Sequence, residues 1–202
     1  MNVTLAVEVF VTLFVIMDPV GTVPVFLSLT AGRTPKVARA AAWQAVLVAF
    51  VVIVLFALFG QGILNYLGIT LPAMQASGGL LLLLVALELL TGNDEDSSLT
   101  QGKAKNVALV PLGTPLLAGP GAIVATMLFV HQVDGFADGL AVAVGIIVVH
   151  LSLWASMRFS LPLQRLLRES GIMLVTRIAG LLLAAIAVQM VADAVRAFIV
   201  AG

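Results

Sequence analysis

Asp18 stands in the stretch VIMDPVGTVPVF, residues 15–26, where an ionisable carboxylate and two helix breakers interrupt an otherwise apolar run. A carboxylate is costly to place in hydrocarbon, so an aspartate inside such a run is a candidate functional residue. Asp18 lies about 22 Å into its segment if each helical residue rises about 1.5 Å. It could hold a proton, bind a cationic group or only cap a helix, and the sequence leaves these roles open.

A second interruption occurs in PLLAGPGAI, residues 115–123, where Pro120 lies between two glycines. Proline at the first position of a helix, with Asp or Gly before it, is a good helix start. We therefore predict half-helices that begin at Pro19 and Pro120. The N-terminus of a helix presents free N–H groups and a partial positive charge, which attract anions.

The two predicted helix ends differ in charge, because Asp18 is acidic whereas the turn Gly119–Gly121 offers only backbone. A zwitterion could place its ammonium group near Asp18 and its carboxylate at Gly119–Gly121. The predicted substrate-binding residues are Asp18, Pro19, Gly21, Thr22, Pro24, Ser77, Gly78, Thr114, Pro115, Gly119, Pro120, Gly121 and Gln189. The alternative is structural, since prolines kink membrane helices and glycines allow helices to pack closely.

Three further residues keep two interpretations each. Gln189 could contact substrate or bond a neighbouring helix, and Gly78 with its small neighbours suits close packing against the first apolar segment. His150 could relay protons or could be a hydrogen-bonded packing residue.

Composition places these residues in a membrane. The chain has 202 residues, of which 61 % are hydrophobic and 10 % charged, and its mean hydropathy is +1.18. A soluble domain would carry about a quarter charged residues, so we predict an integral membrane protein. The N-terminus lacks a basic region before its apolar run, so we expect no cleaved signal peptide.

Several classes of function are disfavoured. The absence of cysteine excludes disulfides and thiolate metal sites, and the two histidines form no metal motif. The net charge is zero, with no basic arm, so we expect no nucleic-acid partner. The sequence holds no nucleotide-binding motif, and we expect no cofactor, no metal and no enzymatic activity.

Six apolar segments are each long enough to cross a bilayer of about 30 Å as a helix. They cover about residues 3–30, 41–60, 71–91, 107–130, 139–157 and 176–199. Nine of the ten basic residues follow the first, third and fifth segments, and only Arg196 lies on the other side. The positive-inside rule then predicts cytoplasmic loops at these places and both termini outside the cytoplasm.

The chain also contains two halves that match when they are shifted by 101 residues. Pro19 then falls on Pro120, and Gly79 in SGGLLLL falls on Gly180 in IAGLLLA. Each half has three spans, so the second half must enter the membrane from the opposite side. We predict one all-α membrane domain, residues 1–202, of two inverted repeats, about 1–100 and about 101–202, with the first and fourth spans broken.

The segments DPVGTVPVF, SGGLLLL, PLGTPLLAGPGAI and RIAGLLLAAIAVQ resemble the signature segments of the MarC family of bacterial inner-membrane proteins. The resemblance covers nearly the whole chain, although Thr22 stands where asparagine is frequent and Gln75 where arginine is frequent. It implies a six-span, multi-pass protein of the bacterial inner membrane, related in fold to amino-acid exporters of the LysE type. It also implies transport of small neutral amino acids such as glycine and alanine, coupled to protons.

We therefore expect a secondary transporter, an exporter or a proton-coupled carrier, that binds a small zwitterionic amino acid near the midplane. Coupling to H⁺ and coupling to Na⁺ both fit broken helices. The alternatives are a channel, a non-transporting scaffold, export of another solute or drug, and an intramembrane protease that uses Ser77 and His150. Its partners are then the substrate and the lipid bilayer, and glycine-rich helix faces are compatible with a homo-oligomer.

Overall fold

The computed structural model describes residues 2–30, 32–91 and 117–201, and these are helical apart from short turns. The helices are α1 (Val3–Met17), α2 (Thr22–Thr30), α3 (Pro35–Leu67), α4 (Leu71–Thr91), α5 (Pro120–His131), α6 (Phe136–Arg158) and α7 (Ser160–Ala201). Within the described residues there is no β-strand. The all-α prediction is therefore confirmed for this part of the chain.

Four stretches are long and apolar enough to cross a membrane, namely Pro35–Leu67, Leu71–Thr91, Phe136–Arg158 and Ser170–Val200. They correspond to four of the six predicted spans. The two remaining predicted spans, 3–30 and 107–130, contain the shorter helices α1, α2 and α5. The first part of the span 107–130 lies outside the described residues.

Local sequence explains where several helices begin and end. The side chain of Asn2 caps α1 by accepting a hydrogen bond from the N–H of Leu5, and Thr34 caps α3 ahead of Pro35. Gly68 ends α3 in the left-handed conformation, with φ of 66°, which glycine adopts without strain.

The α7 helix differs from the prediction, because we expected a loop after residue 157 and a span that begins at about residue 176. The chain is helical from Ser160, and only Arg168, with φ of 55° and ψ of 177°, interrupts it. The leucine-rich segment before Arg168 favours helix, so most of the predicted loop is helical.

Two buried clusters hold the helices together. The larger one contains Leu13, Ala49, Ile53 and Leu153, together with residues of α5, and joins α1, α3, α5 and α6. The smaller one joins α1, α4, α5 and α7. Many large apolar side chains are exposed, such as Leu84 at 64 %, as expected for helices whose outer faces contact lipid.

The contact between α4 and α7 is reciprocal. A methyl group on Gly79 would meet the backbone oxygen of Ala187 and the side chains of Met190 and Val191. A methyl group on Gly180 would meet the corresponding atoms on α4, the oxygen of Ala86 and the side chains of Leu89 and Leu90. Each set of contacts becomes the other when it is shifted by 101 residues, and the two helices run antiparallel.

Element boundaries follow the same shift. The helices α3 and α6 begin 101 residues apart, at Pro35 and Phe136, and α2 and α5 end 101 residues apart, at Thr30 and His131. The end of α3 at Leu67 corresponds to the interruption of α7 at Arg168. The sequence match therefore extends to the starts, ends and packing of the helices.

The substitution Gly79→Ala should destabilise the fold. The new methyl would approach the backbone oxygen of Ala187 to 2.8 Å, so α4 and α7 must move apart, which should lower the free energy of unfolding by about 1–3 kcal/mol. Denaturation of the detergent-solubilised protein with SDS measures this change.

Gly62→Ala is the matched control, because no atom lies within 4 Å of a methyl at that position. Alanine is the better helix former, so this variant should be unchanged or more stable by up to about 1 kcal/mol. Equal stability of the two variants would contradict a close α4–α7 contact.

Candidate functional site

The Asp18 turn separates α1 from α2. Asp18 itself adopts the left-handed conformation, with φ of 39° and ψ of 72°, and its N–H donates to the carbonyl of Phe14. Its carbonyl accepts from the N–H of Thr22, 3.0 Å away. The carboxylate oxygen Oδ1 accepts from the N–H of Gly21, also at 3.0 Å. The side chain therefore stabilises the turn that interrupts the first predicted span.

The second carboxylate oxygen is available for another group. Asp18 is 8 % exposed, and its Oδ2 is buried without a hydrogen-bond partner. The hydroxyl group of Thr176, from α7, lies beside the carboxylate. Buried polar atoms in proteins are nearly always hydrogen-bonded, so a donor to this oxygen, from Thr176 or from a ligand, would be stabilised.

The start of the second half-helix differs from the prediction. We predicted that it begins at Pro19, whereas α2 begins at Thr22 and residues 19–21 form a turn. The left-handed backbone of Asp18 causes this delay, because the chain needs one further turn before it resumes helical geometry. The hydroxyl of Thr22 donates to the carbonyl of Pro19 at 2.9 Å, while Pro24 is exposed in the first turn of α2.

The second interruption follows the prediction more closely. The helix α5 begins at Pro120, and Gly119, with φ of −61° and ψ of 163°, is its N-cap residue without a side-chain hydrogen bond. The N–H groups of Ala122 and Ile123 donate to the carbonyl of Gly119. No side chain of α5's own cap therefore covers this helix end. Thr114 and Pro115 lie outside the described residues.

Residues next to the two interruptions belong to one buried cluster. Met17, next to Asp18, belongs to the same buried cluster as Leu117, Ala118 and Ala122, which surround Gly119. Val15 packs into the second cluster, which also contains residues of α4, α5 and α7. The ends of the two broken segments therefore share the core of the molecule.

Gly78 and Gly121 serve the contact between α4 and α5. A methyl on Gly78 would meet the side chain of Val124 at 2.6 Å, and a methyl on Gly121 would collide with the side chain of Leu82. The predicted packing of Gly78 against the first span is wrong, because its partner is α5. Ser77 is exposed, and its hydroxyl donates to the carbonyl of Met74.

Gln189 lies away from the buried carboxylate. It is exposed on α7, and its amide donates to Asp193 Oδ1 at 2.8 Å. Asp193 in turn lies 4.0 Å from Arg196. The structure thus places Gln189 in a polar row on one face of α7.

Thr176 is a residue that the sequence analysis missed. It lies close to the start of the sixth predicted span, beside Arg177, and no spacing rule connects it to the first span. Only the packing of α7 against the Asp18 turn brings them together. Within the described residues, no group of three or more His, Asp or Glu could hold a metal ion.

Comparison with known proteins identifies similar membrane proteins. The model of the MarC family of integral membrane proteins matches residues 3–199. A UPF0056 membrane protein of Methanocaldococcus jannaschii is 36 % identical over 93 % of this chain and 94 % of its own. One from Aquifex aeolicus is 35 % identical over 95 % and 92 %, and YhcE of Escherichia coli is 31 % identical over 93 % and 90 %. No solved structure matches the chain.

The substitution Gly21→Ala should displace the Asp18 carboxylate. A methyl at residue 21 would collide with Oδ2 and would approach the Thr176 hydroxyl to 3.0 Å. We expect the free energy of unfolding to fall by about 1–3 kcal/mol. The double variant Asp18→Ala/Gly21→Ala, measured by SDS denaturation, should lose much less than the sum of the two single variants, because the colliding atom is gone.

Additive effects of the two substitutions would contradict this contact. Gly139→Ala is the control, since a methyl there would make only an ordinary contact with Val133, at 3.7 Å.

Proposed function

The chain belongs to the MarC family of integral membrane proteins, and on this premise we propose that it is a secondary transporter of small neutral amino acids. The substrate's ammonium group contacts Asp18, and its carboxylate contacts the start of α5 at Gly119–Gly121. The names of the relatives describe membrane proteins and give no substrate, so the substrate class is inferred from the chemistry of the site.

The observation that carries the proposal is the free oxygen of Asp18. A charged carboxylate in a membrane interior is stabilised by donors or by a positive charge. Oδ1 has the N–H of Gly21 as its donor, whereas Oδ2 has no hydrogen-bond partner. A primary ammonium group has three donors and a compensating charge, so it could satisfy this oxygen and neutralise the carboxylate.

The start of α5 supplies the complementary end of the site. Helix N-termini carry a partial positive charge, which stabilises carboxylates. Since Pro120 has no N–H and the two residues after Gly121 donate to Gly119, the donor available at this end is the N–H of Gly121. Gly119 lacks a side chain that could occupy this position. Residues next to both ends of the proposed site, such as Met17 and Leu117, belong to one buried cluster.

We also propose that the two halves form an inverted repeat. The reciprocal contacts of Gly79 and Gly180 support it, as do the helix boundaries that recur after 101 residues. Transporters with this architecture bind substrate at discontinuous helices and alternate access by moving one repeat against the other. The six apolar segments then give six spans, and the distribution of arginine and lysine puts both termini outside the cytoplasm.

Two observations favour transport over the proteolytic alternative. The Ser77 hydroxyl is exposed on α4 and donates to the carbonyl of Met74. His150 is buried on α6, where its Nδ1 donates to the carbonyl of Ile146. A serine nucleophile and its base must be within hydrogen-bond reach, and these two side chains make other hydrogen bonds.

The substitution Asp18→Asn tests the proposed contact between Asp18 and the substrate's ammonium group. In liposomes that contain the purified protein, uptake of labelled alanine should be saturable, and the variant should raise the half-saturation concentration about 10- to 100-fold. This range corresponds to a lost charge-assisted hydrogen bond of about 1.5–3 kcal/mol. Asp134→Asn is the matched control, because Asp134 is exposed in the turn after α5.

Three results would contradict the proposal: flux that does not saturate, as in a channel; no flux at all, as in a scaffold; or unchanged uptake by Asp18→Asn. Competition by glycine, by alanine amide and by propionate separates the roles of the two charged groups of the substrate.

The pair Gly119→Asp and Gly119→Asn tests the proposed contact between the substrate's carboxylate and the start of α5. Both side chains cap a helix and fit the backbone of residue 119, which has φ of −61°. Only aspartate adds a negative charge where the substrate's carboxylate would lie. We expect Gly119→Asp to weaken alanine uptake about 10-fold or more relative to Gly119→Asn, through like-charge repulsion. Equal uptake by the two variants would place the carboxylate elsewhere.

A further inference from the structure

His150 is a second buried polar side chain with an unused atom. It lies on α6, is 4 % exposed, and its Nδ1 is 2.7 Å from the carbonyl of Ile146, one turn earlier. A carbonyl only accepts, so Nδ1 carries the hydrogen. The other ring nitrogen, Nε2, is buried and has no hydrogen-bond partner.

The surroundings of the free nitrogen belong to α3. The ring of Phe50 meets the imidazole edge-on, with centroids 5.2 Å apart, and the backbone carbonyl of Ala49 also interacts with the imidazole. Because Nδ1 is bonded to Ile146, Nε2 is the nitrogen left for that carbonyl. In the neutral ring this nitrogen carries no hydrogen, so it cannot donate to the carbonyl, and no hydrogen bond joins the two groups.

The two residues of this contact occupy equivalent positions in the two halves. Ala49 and His150 are 101 residues apart, so each is the counterpart of the other in the proposed repeat. Counterparts that touch must lie on the axis that relates the two halves. The small side chain of Ala49 leaves room for an imidazole at a place where the two halves meet.

Among the described residues, no charged side chain is bonded to the buried imidazole. The titratable side chains on helices packed against α6 include Glu8 on α1, Lys36, Arg39 and Tyr66 on α3, and His131 on α5. Asp18 lies between α1 and α2, Asp138 and Arg158 lie on α6 itself, and α7 carries several arginines and Asp193. Within the described part of the chain, none of these forms a hydrogen bond or an ion pair with His150.

We propose that His150 is a proton-binding site that links the two halves of the molecule and couples transport to H⁺. A proton from water binds the lone pair of Nε2, and the new N–H donates to the carbonyl of Ala49, which draws α3 and α6 together. Loss of the proton restores the unpaired contact and loosens the packing. The coupling role rests on the transport function proposed above, whereas proton binding and the packing change are measurable without substrate.

The first measurement reads the proton directly. The chain has only two histidines, so His131→Gln leaves His150 as the single imidazole. With ¹⁵N-labelled histidine in lipid vesicles, NMR should show the Nδ1–H tautomer at the alkaline end of a pH titration and a protonated Nε2 at its acidic end. A ring whose nitrogen shifts do not change during the titration would overturn the proposal.

The second measurement reads the packing of α3 against α6. The chain has no cysteine, so spin labels at Leu47→Cys and Ile147→Cys, both 46 % exposed, need no background substitutions. Electron–electron double resonance should give a shorter and narrower distance distribution at the acidic end. The change should persist in His131→Gln and disappear in His150→Gln, and a pH response retained by His150→Gln would overturn the link.

The third measurement separates coupling from a structural role. Vesicles with His150→Gln should still exchange labelled alanine for unlabelled alanine when no gradient is applied. Accumulation driven by a pH gradient should fall to the gradient-free level, while His131→Gln should accumulate alanine normally. Gradient-driven accumulation that survives in His150→Gln would overturn the coupling role. An absence of uptake by the unsubstituted protein would instead contradict the transport function, and the first two measurements would still decide the proton site.

Discussion

In hydrocarbon every backbone N–H and C=O needs a partner within the protein, and this constraint governs the break between α1 and α2. Asp18 meets it with three hydrogen bonds, through its N–H to Phe14, its carbonyl to Thr22 and its Oδ1 to Gly21. These bonds stabilise the turn, and one carboxylate oxygen remains unbonded. The same side chain serves the fold and presents the charge on which the proposed binding depends.

The glycine contacts determine how closely the helices around the Asp18 turn pack. Gly79 and Gly180 let α4 and α7 approach so closely that a methyl group at either glycine would meet a backbone oxygen, and Gly121 lets α5 approach α4. These approaches bring Thr176 on α7 beside the carboxylate and keep the start of α5 within the shared core. Since packing of small residues replaces the hydrophobic effect between membrane helices, these positions tolerate little enlargement.

Asp18 and His150 divide the chemistry of the proposed transporter between two buried groups. Asp18 lies at a break in the helix, where backbone donors and an outside ligand can both reach it. His150 lies within an unbroken helix, against the backbone of α3. The first position suits a substrate group that enters and leaves, and the second suits a proton that changes how the two halves pack.

Composition, the apolar segments and the prolines were enough to predict a helical membrane protein with interruptions near Asp18 and Pro120, because these depend on local preferences and hydrophobicity. They did not determine that α2 starts only at Thr22, that Gly78 packs against α5, or that Gln189 bonds Asp193 on an exposed face. They also gave no sign that Thr176 lies beside Asp18. Only the tertiary structure decided these points, because they depend on which helix faces meet, and residues distant in sequence leave no spacing pattern for that.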